Sequence, residues 1–134
     1  MKEKQSMYQA QSDELLFFDL HTTAIPLYEA FAGELFQRFP ATSVRVQKTQ
    51  ITFSNRHVYA CASLARVKKK AELPEPYIVI TLGLPYPLAS ERVAIKTEPY
   101  PGRWTTHIVV GSQAELDNEF WTWTAQAYEF SESK

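Results

Sequence analysis

The chain has 134 residues, 45% apolar and 13% aromatic, with 14 basic and 15 acidic side chains and a formal charge of -1. That is one ordinary domain with enough apolar mass for its own core, so no disulfide framework or structural metal is needed, and near-neutrality speaks against a protein built to coat nucleic acid or an anionic membrane. The single cysteine, Cys61, the polar opening Met1–Ser6 and the shortness of the first apolar run, Leu15–Phe18, argue against disulfides, a signal peptide and a membrane span, so a cytoplasmic location is expected.

Residues 1–13 read as a flexible polar lead-in to a single domain over 14–134, and the period of Asp13–Leu20 fits helix and strand equally. From Thr23 to Phe39 the apolar positions Tyr28, Phe31, Ala32, Leu35 and Phe39 share one helix face. Thr22 or Thr23 can cap that helix, Pro26 suits its first turn, and Pro40 ends it.

Beyond Pro40 the period drops to two. Val44 and Val46 have the opposite parity to Ile51 and Phe53, which requires a turn or bulge within Gln47–Gln50. Ser54-Asn55-Arg56 reads as a tight turn, His57–Val67 as a long strand, and Lys68-Lys69-Lys70 with Leu73-Pro74-Glu75-Pro76 as a basic loop and breaker. Tyr77–Leu84 is apolar on both parities, as a central strand requires, and Arg92–Thr97 and Trp104–Val110 supply two more strands.

Ser112-Gln113-Ala114-Glu115 has the form of a capping box and is expected to open the last helix. There Leu116, Phe120, Trp123, Ala127 and Phe130 form a core stripe, and Trp121, Ala125 and Tyr128 a second one. The second stripe needs a cover, for which Leu15–Phe18 is the expected source and a symmetric dimer the alternative. The fold class that follows is α+β: an antiparallel sheet of five or six strands packed in two layers against an N-terminal and a C-terminal helix.

Several chemistries find little material. His57 and Cys61 are spaced for chelation on a helix, but on a strand that spacing is about 13 Å, too far to share one zinc. Cys61 lies between Ala60 and Ala62, where a thiol acts as a small hydrophobe. There is no Gly-x-Ser-x-Gly elbow, and the four glycines are dispersed, so a glycine-rich phosphate loop is not expected either. The lysines at 68–70 read as a solvated loop that discourages edge pairing.

The richest stretch is Thr97-Glu98-Pro99-Tyr100-Pro101-Gly102-Arg103-Trp104-Thr105-Thr106-His107. Its prolines stiffen it and Pro101-Gly102 signals a turn, so it reads as a rigid loop presenting Glu98, Tyr100, Arg103 and Trp104. Arg103 with Glu98 could clamp an anionic or planar ligand, or form a pair fastening the loop to the sheet; the second is favoured.

That stretch, together with Val46–Phe53, Arg56–Ala60, Thr81–Leu84 and the run from Glu115 through Trp123 to Tyr128, resembles a family of small bacterial proteins known as domain of unknown function 5655. The resemblance covers about Leu15 to Phe130 and implies a bacterial, cytoplasmic, stand-alone α+β domain, with no assigned reaction or catalytic residues. Members of this subgroup often carry Thr-His-His where this chain has Thr105-Thr106-His107.

The leading expectation is a non-enzymatic binding or interaction module with one polar pocket built from Lys48, Gln50, Glu98, Tyr100, Arg103, Trp104 and His107. Alternatives are an enzyme using His107 or His57 with Glu98 as orienter, and a nucleic-acid-associated domain using Lys68–Lys70. No cofactor or metal is expected; the partner would be a small molecule or a protein, with no membrane contact, nucleic acid disfavoured, and a monomer or homodimer as the assembly.

Overall fold

The computed structural model describes residues 8–134. Its elements run α1 (Ser12–Phe17), α2 (Ile25–Arg38), β1 (Ser43–Val46), β2 (Ile51–Ser54), β3 (Val58–Ser63), β4 (Ile78–Leu84), β5 (Val93–Tyr100), β6 (Arg103–Val110) and α3 (Asn118–Ser133). The six strands form one sheet in the order β1-β2-β3-β4-β6-β5, with every pairing antiparallel. This is the expected α+β arrangement. No helix among the described residues is long and apolar enough to cross a membrane.

The parity change after Pro40 resolves as the turn joining β1 to β2, closed by Gln47 N–H donating to the Gln50 carbonyl at 2.8 Å. On the helix side of the sheet lie Phe53, Ala60, Ala62, Ile80, Leu82, Thr106 and Ile108, all buried and linked by direct cross-strand pairing. A bulge at Phe53/Ser54 shifts the register so that Tyr59 also turns to this side, against Phe39 and Tyr128.

Within the helix layer, Phe31 of α2 stacks on Trp121 of α3 and meets Phe53 edge-on. Phe39 stacks on Tyr128 at 4.5 Å. The second stripe of α3 is therefore covered inside the chain by α2 and the residue after it. Leu15–Phe18 does not supply that cover: Phe18 packs on Tyr28, while Leu16 is 72% exposed.

Several local expectations are corrected. Thr22–Ala24 is a short 3-10 turn rather than a cap, and no side chain caps α2, whose first turn carries Pro26. The Ser112–Glu115 box closes another 3-10 turn, and α3 starts two residues later with Asp117 accepting from Phe120 N–H at 3.0 Å. β3 ends at Ser63, well short of Val67. Tyr8 and Ala10, from the stretch read as a lead-in, are tied down: Tyr8 stacks on Phe36, and Ala10 N–H donates to Glu29 at 2.8 Å. The rest of that lead-in, residues 1–7, lies outside the described residues.

Candidate functional site

The stretch from Thr97 to His107 is no loop but the β5–β6 hairpin. Tyr100 pairs with Arg103 across the Pro101-Gly102 turn, where Gly102 takes φ +73°, a left-handed conformation that suits glycine. Glu98 fastens this tip by accepting from Gly102 N–H at 2.9 Å. It does not pair with Arg103: the ion pairs among the described residues belong to Arg38 and Arg92, and Arg103 is exposed. The favoured Arg103–Glu98 fastening is thus replaced by a carboxylate-to-backbone bond, and the guanidinium is in no ion pair among the described residues.

Lys48 and Gln50 are not neighbours of this hairpin. Their turn starts β2, whose Ile51 aligns through Ala62 and Ile80 with Ile108, four residues and three strands away from Trp104. At ordinary strand spacing and rise that separation is roughly 20 Å. One pocket cannot hold both segments, so the seven-residue pocket is not formed.

The hairpin instead borders a different hollow. On the face of the sheet away from the helices, Thr52, Cys61, Thr81 and His107 form one cross-strand row, and Gly83 with Thr105 forms part of the next. Beyond the Ala60–Leu82 pair β3 and β4 no longer pair, and a groove of about 290 Å³ opens at this end of the sheet, lined from both faces: Tyr59, Ala60, Leu82 and Trp104 belong to the helix side. Cys61, Thr81, Gly83 and Thr105 line it together with Tyr100, Arg103 and Trp104 of the hairpin and Phe130 and Lys134 of the α3 end. A Cβ built on Gly83 would meet nothing within 4 Å, so the groove is open over that strand.

The end of α3 is held beside the groove by a polar knot. Ser131, 1% exposed, donates to Asn55 Oδ1 at 2.7 Å and accepts from His57 N–H at 3.2 Å, while Asn55 Nδ2 donates to the Tyr128 carbonyl at 3.0 Å. This ties α3 to the β2–β3 turn. His57 thus serves through its backbone, and no group of three or more His, Cys, Asp or Glu side chains able to hold a metal occurs among the described residues.

Two basic side chains, Arg103 and Lys134, line the groove. Burial, with the Arg103 charge second, lowers the Lys134 ammonium below its ordinary range. Burial pushes the Cys61 thiol up to about 11, which makes it a poor nucleophile at neutral pH. His107 is half-buried just outside the lining, with its Nδ1 2.8 Å from Thr81 Oγ1, and burial pulls its imidazole below the ordinary 6.5. Its partner is therefore Thr81 rather than Glu98, which is occupied at the hairpin tip, and the acid–base pairing with Glu98 is not formed.

Comparison with known sequences then places the chain: the model described as domain of unknown function (DUF5655) matches residues 16–131. The chain belongs to the DUF5655 family. No curated protein and no solved structure matches it. Within this DUF5655 domain, Thr106 is wholly buried on the helix side while its neighbour His107 sits on the opposite face. A histidine pair at these two positions would therefore straddle the sheet rather than converge on one ligand.

Of the anticipated site residues the structure thus gathers Tyr100, Arg103 and Trp104, sets His107 one residue behind the groove, turns Glu98 to the hairpin tip and leaves Lys48 and Gln50 at the far corner. Thr81, Gly83, Phe130 and Lys134 were missed.

Proposed function

We propose that this domain is a cytoplasmic binding module whose groove captures a small anionic ligand with a flat apolar body. The observation that supports this reading is the meeting of two cations outside any ion pair among the described residues, Arg103 and Lys134, with Tyr100, Trp104 and Phe130 in one concave site. A bound anion relieves the repulsion between the two cations, and a flat body over Gly83 covers aromatic surface. Arg103 offers a planar fork suited to a carboxylate or sulfonate.

The test uses anilinonaphthalene sulfonate as a flat, fixed-charge probe. Saturable one-to-one binding is expected, weakened about tenfold by Arg103→Ala and abolished by Gly83→Leu, which fills open space from a strand position. Both variants should keep the wild-type circular dichroism. Probe affinity unchanged in both would remove the groove as the binding site.

A further inference from the structure

We infer that His107, which does not line the groove, sets the hydrogen-bond polarity of its floor through Thr81, so that an anion is held more tightly when His107 Nδ1 carries a proton. The inference rests on the groove reading above. Thr81 lines the groove, and its hydroxyl is 2.8 Å from His107 Nδ1. The two residues are directly opposite one another on β4 and β6, and the residue opposite His107 on its other side, Ile95, has no side-chain polar atom.

A hydroxyl has a single proton to give. When the imidazole is neutral with its proton on Nε2, Nδ1 is an acceptor and takes the Thr81 proton. The Thr81 hydroxyl then offers an anion only its lone pairs, which repel it. When Nδ1 is protonated, it donates to Thr81 Oγ1, and the hydroxyl proton is released to point at the ligand. One relay thus converts the floor from acceptor to donor with no movement of backbone. Linkage requires the reverse effect as well: a bound anion favours the imidazolium and draws a proton to His107.

The surroundings of His107 isolate this effect. Thr81 and Ile95 face it from the neighbouring strands, and Thr105 and Val109 are on the same face of its own strand; none is charged. The next titratable group in its row is the Cys61 thiol, which stays protonated because burial pushes it up to about 11. Arg103 keeps its charge throughout, and Lys134 adds a cation whose titration does not depend on His107.

The experiment measures anilinonaphthalene sulfonate affinity between pH 8 and 5, where the sulfonate charge is constant. Wild-type affinity is expected to rise about tenfold on acidification, the effect of one added hydrogen bond to a charged group. His107→Gln and Thr81→Val should each flatten that rise, whereas His21 and His57 remain in both variants and would preserve any slope of their own. In parallel, the NMR titration of the His107 ring should move to higher pH in saturating probe, and Thr81→Val should abolish the move. A wild-type slope retained in either variant, or a ring midpoint unmoved by probe, overturns the role of His107. Probe bound equally well by Gly83→Leu overturns the groove reading instead, so the two failures are distinguishable.

Discussion

Glu14 offers the sharpest test of how the N-terminal segment is held. It is 1% exposed, and its carboxylate accepts from Gln11 N–H at 2.7 Å, from the Tyr8 hydroxyl at 2.6 Å and from the Tyr28 hydroxyl. Tyr28 is wholly buried; burial, then the hydrogen bond to Glu14 and its charge, raises its hydroxyl pKa, so it remains a donor throughout the working pH range. In Glu14→Leu, water can reach Gln11 and the half-exposed Tyr8, but Tyr28 is left as an orphaned donor in the core. Removing one member of such a buried charged cluster costs about 3 kcal/mol, even after the desolvation of the carboxylate is recovered. Tyr28→Phe deletes one bond to a charged acceptor and costs about 2 kcal/mol. In the double variant the orphan no longer exists, so the total should fall below that of Glu14→Leu alone, to about 2 kcal/mol instead of the additive 5, a coupling of about 3 kcal/mol. Urea unfolding followed by tryptophan fluorescence reads this directly. With a slope of about 2 kcal/mol per molar, Glu14→Leu should lower the midpoint by about 1.5 M. Coupling below about 0.5 kcal/mol would refute the orphaned-donor account.

Three further outcomes follow from particular contacts. Asp117 caps α3 and meets Arg92, and its carboxyl is held below the ordinary 3.8 first by the Phe120 N–H and then by Arg92. Its contribution is therefore present above pH 3.8 and lost as pH falls through the lower folded value. Asp117→Asn should melt about 2–4 °C below wild type at pH 7, with the gap closing below pH 3.8 in thermal scans; a gap independent of pH would contradict this. Gly102→Ala, at φ +73°, should cost about 1 kcal/mol by urea titration, whereas Gly83→Ala, with open space beyond its Cα, should stay within about 0.5 kcal/mol. Equal effects would refute the conformational reading of Gly102. Because burial pushes the Cys61 thiol up to about 11, native alkylation at pH 8 should be roughly a hundredfold slower than for a free thiol. Labelling of the folded protein at the unfolded rate would show that the thiol is not buried.

What was legible in the chain was local. The 3.6-residue spacing of Tyr28, Phe31, Ala32 and Leu35 marks α2, the parity break between Val46 and Ile51 marks a turn, and the doubly apolar run Ile78–Leu84 marks an interior strand; each depends on neighbours within a few residues. Where local signals competed, position was lost: the Ser112–Glu115 box and the Asp117 cap lie five residues apart, and only packing of Phe120 and Trp121 selects the second as the start of α3.

The groove depends on information of another kind. Thr81 meets His107 and Gly83 meets Thr105 only because β4 pairs with β6 rather than with β5, its successor in the chain. Had the strands followed chain order, β5 would lie between them and Ile95 or Thr97, not His107, would face Thr81. The same inversion puts β5 on the outside, where Pro99 costs no interior ladder bond, and brings Arg103 and Trp104 inward beside the end of α3. Pro99 read as loop stiffening is thus also a residue that an edge strand tolerates. A polar loop suggested a site, but strand order chose which of its side chains share it, and by that criterion Thr81 and Lys134, ordinary residues in the sequence, enter the groove, while Glu98 and Gln50 do not.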